Sequence, residues 1–228
     1  MFKTVCVDTI NAIQNNQHME TLDTGSMMTR DKWKDYGVHI YNFMLDLQKM
    51  NFEIVLILGY EGSGKSFGIK YLDPNTNIWF QADDKKPTFK GAKQNYFEEG
   101  DYTKPKANYR VPKSYDEIIT TLKRAKEKGL LDPNPIAFIT GHIEDFKSED
   151  GEIRQRLKVL GSMATKFNIE GKVTHCYYTN VVKKGDKVEY KLRTQNTGSN
   201  TGRSPEGAFD SILIDNNYQL IVDAIENY

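Results

Sequence analysis

Cysteine is scarce in this chain, which has two cysteines, Cys6 and Cys176, among 228 residues. The two do not form a paired motif, so the sequence predicts neither a disulfide framework nor a zinc site. A long apolar run is also missing, and the first residues lead into a strand pattern without the charged and apolar regions of a signal peptide. These absences indicate a reduced, cytoplasmic protein without a membrane partner.

Net charge is absent as well, because 31 lysine and arginine residues balance 31 aspartate and glutamate residues. Without an overall field, binding to nucleic acid or to a membrane surface would require a local basic patch. The length suits one sizeable α/β core and is short for two full domains. We therefore expect a single domain over residues 1–228.

Buried strands alternate with amphipathic helices along most of the chain. Runs of β-branched and aromatic residues predict strands at residues 2–9, 52–58, 77–81 and 135–140. Helical spacing of apolar residues predicts helices at 33–47, from the capping box at Ser114 to about 129, along the stripe Ile153, Leu157, Leu160 and Phe167, and at 218–225. Residues 173–182 and 187–194 flank a turn and predict a β-hairpin. The order predicts an α/β fold with a mostly parallel sheet, covered on both faces, and a C-terminal β-hairpin.

The most specific motif is a glycine-rich turn after the second of these strands. It matches the G-x-x-x-x-G-K-[ST] pattern and is called here the phosphate loop: Gly59, Tyr60, Glu61, Gly62, Ser63, Gly64, Lys65 and Ser66. Glycines let consecutive backbone N–H groups turn toward an anion, and a helix that opens at Lys65 would direct the positive end of its dipole there. Lys65 is then expected to reach the β- and γ-phosphates of a nucleotide, and the Ser66 hydroxyl to hold Mg²⁺.

Three further polar residues lie near the ends of predicted strands or just after them, at the edge where ligands collect in parallel α/β sheets. Asp8 is the candidate carboxylate for holding Mg²⁺, although a lone strand-terminal aspartate is equally well explained as a turn cap. Asp83 is the candidate catalytic residue that polarises the attacking water, and a solvated Asp-Asp-Lys-Lys turn is its alternative. His142 is the candidate catalytic sensor of the γ-phosphate, with a structural histidine as the alternative.

Together these motifs resemble those of the RecA-like ATPases, and more closely those of the small phage ATPases of the Sak type, which accompany single-strand annealing recombination. The phosphate loop resembles Walker A, residues 5–13 resemble the Walker B strand, and residues 79–83 resemble the strand with the catalytic acid. The resemblance implies a three-layer α/β/α P-loop NTPase with a RecA-like sheet. It also implies ATP and Mg²⁺ as cofactors and a role in phage DNA recombination.

The order of these segments differs from that of the family, in which Walker A comes first and Walker B last. Here the Walker B-like strand opens the chain. Residues 52–59 resemble the family's fourth strand and residues 135–141 its Walker A strand, so the two strands have exchanged the loops that follow them. Neighbouring parallel strands end about 5 Å apart, so the sheet is expected to survive this rewired connectivity. Hydrolysis needs closer alignment, which makes a natural or engineered scaffold that binds nucleotide weakly or not at all one alternative function.

A second alternative is a module that binds single-stranded nucleic acid through residues 85–113. This segment has no clear period and combines many lysines with aromatic residues, which suits contacts to the backbone together with base stacking. Its acidic residues make a solvated flap an equally good explanation. The aromatic residues are Phe89, Tyr96, Phe97, Tyr102 and Tyr109.

Two arginines near the C terminus are candidates for supplying positive charge to a phosphate. Arg193 lies in the predicted hairpin, and Arg203 lies in the polar loop that follows. Either could act within its own chain or across the contact of a homo-oligomer. Surface arginine is the simpler explanation in the absence of such a contact.

Overall fold

The computed structural model describes residues 1–23, 30–83, 85–87, 89–160 and 168–228, and within these it leaves out the side chains of residues 17–23 and 30–37. Strands in these residues are Phe2–Asp8 (β1), Glu53–Gly59 (β2), Asn77–Gln81 (β3), Tyr109–Arg110 (β4), Leu131–Lys147 (β5), Ile153–Leu157 (β6), His175–Lys184 (β7), Lys187–Arg193 (β8) and Leu213–Asp215 (β9). The α-helices are Ile10–Asp23 (α1), Arg30–Lys49 (α2), Ala92–Tyr96 (α3), Tyr115–Glu127 (α4) and Tyr218–Glu226 (α5). Short 3-10 helices occur at Lys65–Tyr71, Glu98–Gly100 and Ile169–Lys172.

The strands form one mixed sheet in the order β4-β3-β1-β5-β2-β7-β8-β9, with β6 paired to the outer part of β5. All neighbours from β4 to β7 run parallel, and β7, β8 and β9 are antiparallel. The predicted α/β class, the mostly parallel sheet and the C-terminal hairpin are therefore confirmed. Strand β2, which leads into the phosphate loop, lies between β5 and β7.

Side chains of the central strands alternate between two apolar layers, as expected for a sheet that is buried on both faces. In β2, Leu56 and Leu58 face a layer that includes residues of α1, α2 and α4. Val55 and Ile57 face a second layer that includes residues of α3, α5 and the 3-10 helix Lys65–Tyr71. The sheet is thus covered on both sides, an arrangement compatible with a three-layer α/β/α fold.

Strands β2 and β5 are parallel neighbours, as the sequence predicts. Their register pairs Leu58 with Gly141 and Gly59 with His142, so β2 ends beside His142 while β5 continues to Lys147. The phosphate loop therefore begins beside the outer part of β5, which pairs with β6 from Ile143 onward. This adjacency is what an exchange of loops between the two strands requires.

The helix predicted from the stripe Ile153, Leu157, Leu160 and Phe167 is wrong where the structure describes it. Residues Ile153–Leu157 form β6, which pairs antiparallel with the end of β5, with Ile143 opposite Leu157. A spacing of four residues keeps two side chains on one face of a helix and also on one face of a strand, so the stripe did not distinguish them. The long β5 supplies the pairing partner that decides the outcome, and Phe167 lies outside the described residues.

Helix α1 covers part of a stretch that the sequence presents only as polar, from Gln14 onward. Tertiary hydrogen bonds of its amide side chains hold it in place. Asn11 Oδ1 accepts a bond from the His142 backbone N–H at 2.7 Å, and Asn16 Nδ2 donates to the Ala82 carbonyl at 3.2 Å. These contacts attach α1 to the interior of β5 and to the residue that follows β3. None of the described helices is long and apolar enough to cross a membrane.

Most aromatic side chains of residues 85–113 are buried and do not offer free faces for base stacking, which corrects that part of the nucleic-acid hypothesis. They pack around Trp79, which is 1% exposed, with ring centroids 5.1 Å from Tyr96 and 5.5 Å from Tyr109. Burying one such ring stabilises the fold by ~2 kcal/mol relative to leaving it exposed, so the rings are expected to stay in the core. Four of the five rings are buried, namely Phe89, Tyr96, Phe97 and Tyr109.

Candidate functional site

The phosphate loop has the backbone geometry of an anion-binding nest. Gly62 has φ 71° and Gly64 has φ 84°, both in the left-handed region that favours glycine. No described residue accepts a hydrogen bond from the backbone amides of Gly62, Gly64, Lys65 and Ser66. Consecutive amides without a protein acceptor are the groups that bind phosphate oxygens in such loops.

Residues far along the chain fix the shape of the loop. Thr179 Oγ1 on β7 lies 2.7 Å from Ser63 Oγ, which in turn donates to the Tyr60 carbonyl at 2.6 Å. Asn216 Nδ2 donates to the Gly64 carbonyl at 2.7 Å, and the Tyr218 hydroxyl donates to the Lys65 carbonyl. The carbonyls are thereby tied to the protein on one side of the loop, while the amides stay available.

The predicted helix that opens at Lys65 is instead a single 3-10 helix, Lys65–Tyr71. A Cβ built on Gly68, inside this segment, would lie 2.2 Å from the ring of Tyr218, so tight packing against α5 rather than helix propensity shapes it. Its seven residues provide little aligned dipole. The positive potential at the loop therefore comes from the free amides and from Lys65.

Lys65 is buried, with 7% of its surface exposed. Its ammonium group donates to the carbonyls of Gly59 and Tyr60 at 3.1 and 2.8 Å and lies 3.2 Å from His142 Nδ1. Burial lowers the pKa of Lys65 to about 8, and the charge of Asp8 opposes this shift. The side chain thus holds a positive charge at the loop with little surrounding water.

Asp8 and Ser66 meet directly, although 58 residues separate them in the sequence. Ser66 Oγ donates to Asp8 Oδ2 at 2.5 Å, and Thr140 Oγ1 donates to Asp8 Oδ1 at 2.5 Å. Burial raises the pKa of Asp8, and the hydrogen bonds from Ser66 and Thr140 oppose the rise. The turn-cap explanation fails for Asp8, because its carboxylate is directed at the phosphate loop.

Beside the loop, between the ends of β1 and β3 and the part of β5 around His142, lies a cleft of about 630 Å³, within the size range of small-molecule sites. Asp83 and His142 both line it. Gln81 Nε2 donates to Asp83 Oδ1 at 3.0 Å, and Lys85 Nζ lies 3.7 Å from Asp83 Oδ2. Burial and the Lys65 ammonium lower the pKa of His142, so its imidazole is neutral at neutral pH. The structure therefore brings both predicted catalytic side chains to one cleft.

The residues around the loop and Asp8 fit Mg²⁺. Among the described residues there is no group of three or more His, Cys, Asp and Glu side chains suited to a metal ion. Mg²⁺ does not need one, since proteins commonly hold it through one or two carboxylates together with substrate phosphates and waters. The adjacent hydroxyl of Ser66 and carboxylate of Asp8 are hard oxygen donors of this kind.

Several contributors were missed from sequence. Thr140 is the polar last residue of the apolar strand predicted at 135–140, a pattern that could have indicated a partner such as Asp8 on the neighbouring strand. Thr179 follows two buried tyrosines and gave no comparable indication. Arg193 contacts Thr197, and Arg203 pairs through its backbone with Cys176; neither lines the cleft.

The chain was also compared with protein-family models, with curated proteins and with solved structures, and nothing matched it.

Gly59→Ala is expected to lower the free energy of unfolding by ~3 kcal/mol, a typical upper cost of overpacking a tight site. A Cβ at this position would lie 1.8 Å from Thr179 Oγ1 and 2.6 Å from Ser63 Oγ. Adding Thr179→Ala should recover part of the loss, because it removes the nearest atom. Chemical denaturation of the two variants measures both effects, and a single variant as stable as the wild type would contradict the packing.

Proposed function

We propose that this chain is a Mg²⁺-dependent P-loop nucleoside triphosphatase with a RecA-like fold and ATP as its substrate. The observation that carries the proposal is the 2.5 Å hydrogen bond between Ser66 and Asp8. In P-loop NTPases the loop Ser or Thr and an aspartate at another strand end hold Mg²⁺ together. A glycine-rich turn with a chance lysine would have no reason to meet a buried carboxylate there.

Each residue has a defined role in this proposal. The loop amides and Lys65 bind the β- and γ-phosphates, and Lys65 stabilises charge as the γ-phosphoryl group transfers. Ser66 and Asp8 would hold Mg²⁺, which supplies charge neutralisation on the phosphate oxygens when bound. Asp83 orients the water that attacks the γ-phosphorus and accepts its proton as the bond to the bridging oxygen breaks. His142, beside Lys65, contacts the γ-phosphate.

Nucleotide is favoured over single-stranded DNA as the primary ligand, because the rings offered for base stacking are mostly in the core. A link to phage recombination is supported by the resemblance of the motifs. Cys6 and Cys176 are buried and unpaired, which fits a reducing compartment such as the cytoplasm.

Calorimetric titration with ATP and Mg²⁺ tests the proposal and is expected to show net proton uptake that increases from about pH 7 to about pH 8.5. Burial lowers the pKa of Lys65 to about 8, so above this pH a growing fraction of free protein has a neutral Lys65, which polyphosphate would protonate. Affinity should accordingly fall as pH rises through 8. Uptake by His142, whose pKa is lowered, would instead decline over this range.

The measurement uses two buffers of different ionisation enthalpy at each pH. Absence of any ATP binding would reject the proposed function. Binding with proton uptake that declines with pH would show that Lys65 does not meet the phosphates.

A further inference from the structure

One face of the β7–β8 hairpin lies against the phosphate loop and continues above it as an exposed apolar surface. Thr179 hydrogen-bonds to Ser63 and therefore lies on the face of the hairpin that is directed at the loop. Alternate residues of a strand share a face, so the residues two positions away from Thr179 lie on it too. Val181 lies two residues further on, and its register partner on β8 is Tyr190. Val181 is 48% exposed and Val188, two residues before Tyr190, is 53% exposed. We call Val181, Val188 and Tyr190 the hairpin wall.

Tyr190 joins the hairpin wall to the loop. A Cβ built on Gly64 would lie 2.4 Å from Tyr190 Cδ1, so the ring edge touches the loop backbone directly. The ring also packs on Phe67, with centroids 5.0 Å apart at an angle of 43°. The Asn216 backbone N–H donates to the Tyr190 carbonyl at 3.1 Å, while its side chain holds Gly64. The wall and the loop therefore form one continuous surface.

The order of strands sets the direction in which a nucleotide can lie. Asp8 is the last residue of β1, Asp83 follows β3 by two residues, and His142 lies in β5 beside the last residue of β2. These three strands all lie on one side of β2. The hairpin β7–β8 lies on the other side of β2. A polyphosphate that crosses the loop with its terminal phosphate at the acids must leave its nucleoside on the hairpin side.

We infer that the hairpin wall holds the nucleoside of the bound nucleotide, an inference that rests on the proposed function. The wall has an aromatic ring and two aliphatic side chains, which suit the faces of a nucleobase and ribose, and contacts of this kind tolerate different bases. Exposed apolar side chains clustered beside an anion site are explained by such a ligand. A second copy of the chain could also cover this face, and the experiment separates the two occupants.

The test compares Mg²⁺-ATP with Mg²⁺-tripolyphosphate, which has the phosphates and lacks the nucleoside. The variant is Val181→Ser combined with Val188→Ser, two exposed positions where a polar residue is compatible with folding. Its affinity for ATP is expected to fall roughly tenfold, while its affinity for tripolyphosphate stays within about twofold of wild type. Tyr190→Leu should act in the same direction. Val111→Ser, at a valine that is 53% exposed away from the loop, is the matched control and should change neither affinity.

Equal weakening of both ligands, or unchanged ATP affinity, would overturn the inference and leave the triphosphatase proposal intact. Sedimentation that shows a wild-type oligomer dissociated by the double variant, with ATP affinity unchanged, would assign the wall to a second copy instead. A wild-type protein that binds neither ligand would reject the proposed function itself, and the inference with it.

Discussion

Lys65→Ala is expected to weaken ATP binding roughly 100-fold or more, the usual scale for truncating one member of a close charge contact. Among the described residues, the Lys65 ammonium group is the one cation inside the loop, where it donates to the carbonyls of Gly59 and Tyr60. Its removal leaves the phosphates with the neutral amides alone. The fold should persist, because burial lowers the pKa of Lys65 and so disfavours its charge in the folded protein. Calorimetry with ATP and Mg²⁺, together with circular dichroism, measures both effects.

Lys126→Ala provides a matched control for this substitution. Its ammonium group also donates to a backbone carbonyl, that of Met50, at 3.1 Å, but it lies on α4. This variant should bind ATP as the wild type does. Should Lys65→Ala keep its affinity, the phosphate loop would not be the nucleotide site.

Asp8→Asn is expected to reduce Mg²⁺-dependent phosphate release roughly 10- to 100-fold and at the same time to raise the melting temperature. The loss follows because an amide is a poorer partner than a carboxylate for a cation and for the Ser66 hydroxyl. The gain in stability follows from the pKa of Asp8, which burial raises. Because this pKa is raised, the folded state loses stability as pH rises from the ordinary pKa of aspartate through the pKa of Asp8 in the folded protein. At pH 7 an asparagine stays neutral and avoids this loss of stability.

Asp132→Asn is the control, since Asp132 lies near the opposite end of β5 and caps the nearby Asn134 amide at 3.1 Å. Phosphate release by this variant should match wild type. A lower melting temperature for Asp8→Asn would show that its hydrogen bonds stabilise the fold more than its burial destabilises it. Full turnover in that variant would remove Asp8 from the mechanism.

Local chemistry made the phosphate loop predictable. Glycine is required where φ is positive, and the residue types of an anion nest follow each other in eight consecutive positions, so Lys65 and Ser66 could be recognised without tertiary information. The strands around the loop were also predictable, because burial on both faces leaves an uninterrupted apolar run. The helix predicted from Ile153 was wrong because pairing with β5 overrode the local pattern, and helix α1, which hydrogen bonds such as that from the Leu160 backbone N–H to Gln14 Oε1 hold in place, was not predicted.

By itself the sequence determined the strand that leads into the phosphate loop, the glycines at the positions of positive φ and the polar residues near the ends of neighbouring strands, since each depends on residues close in the chain. Only the tertiary structure decided that Asp8 meets Ser66, that Asp83 and His142 share a cleft, and that Tyr190 abuts Gly64. The physical reason is strand order. Pairing in the sheet places side chains from distant segments a few ångströms apart, and no periodicity along the chain specifies which strands become neighbours.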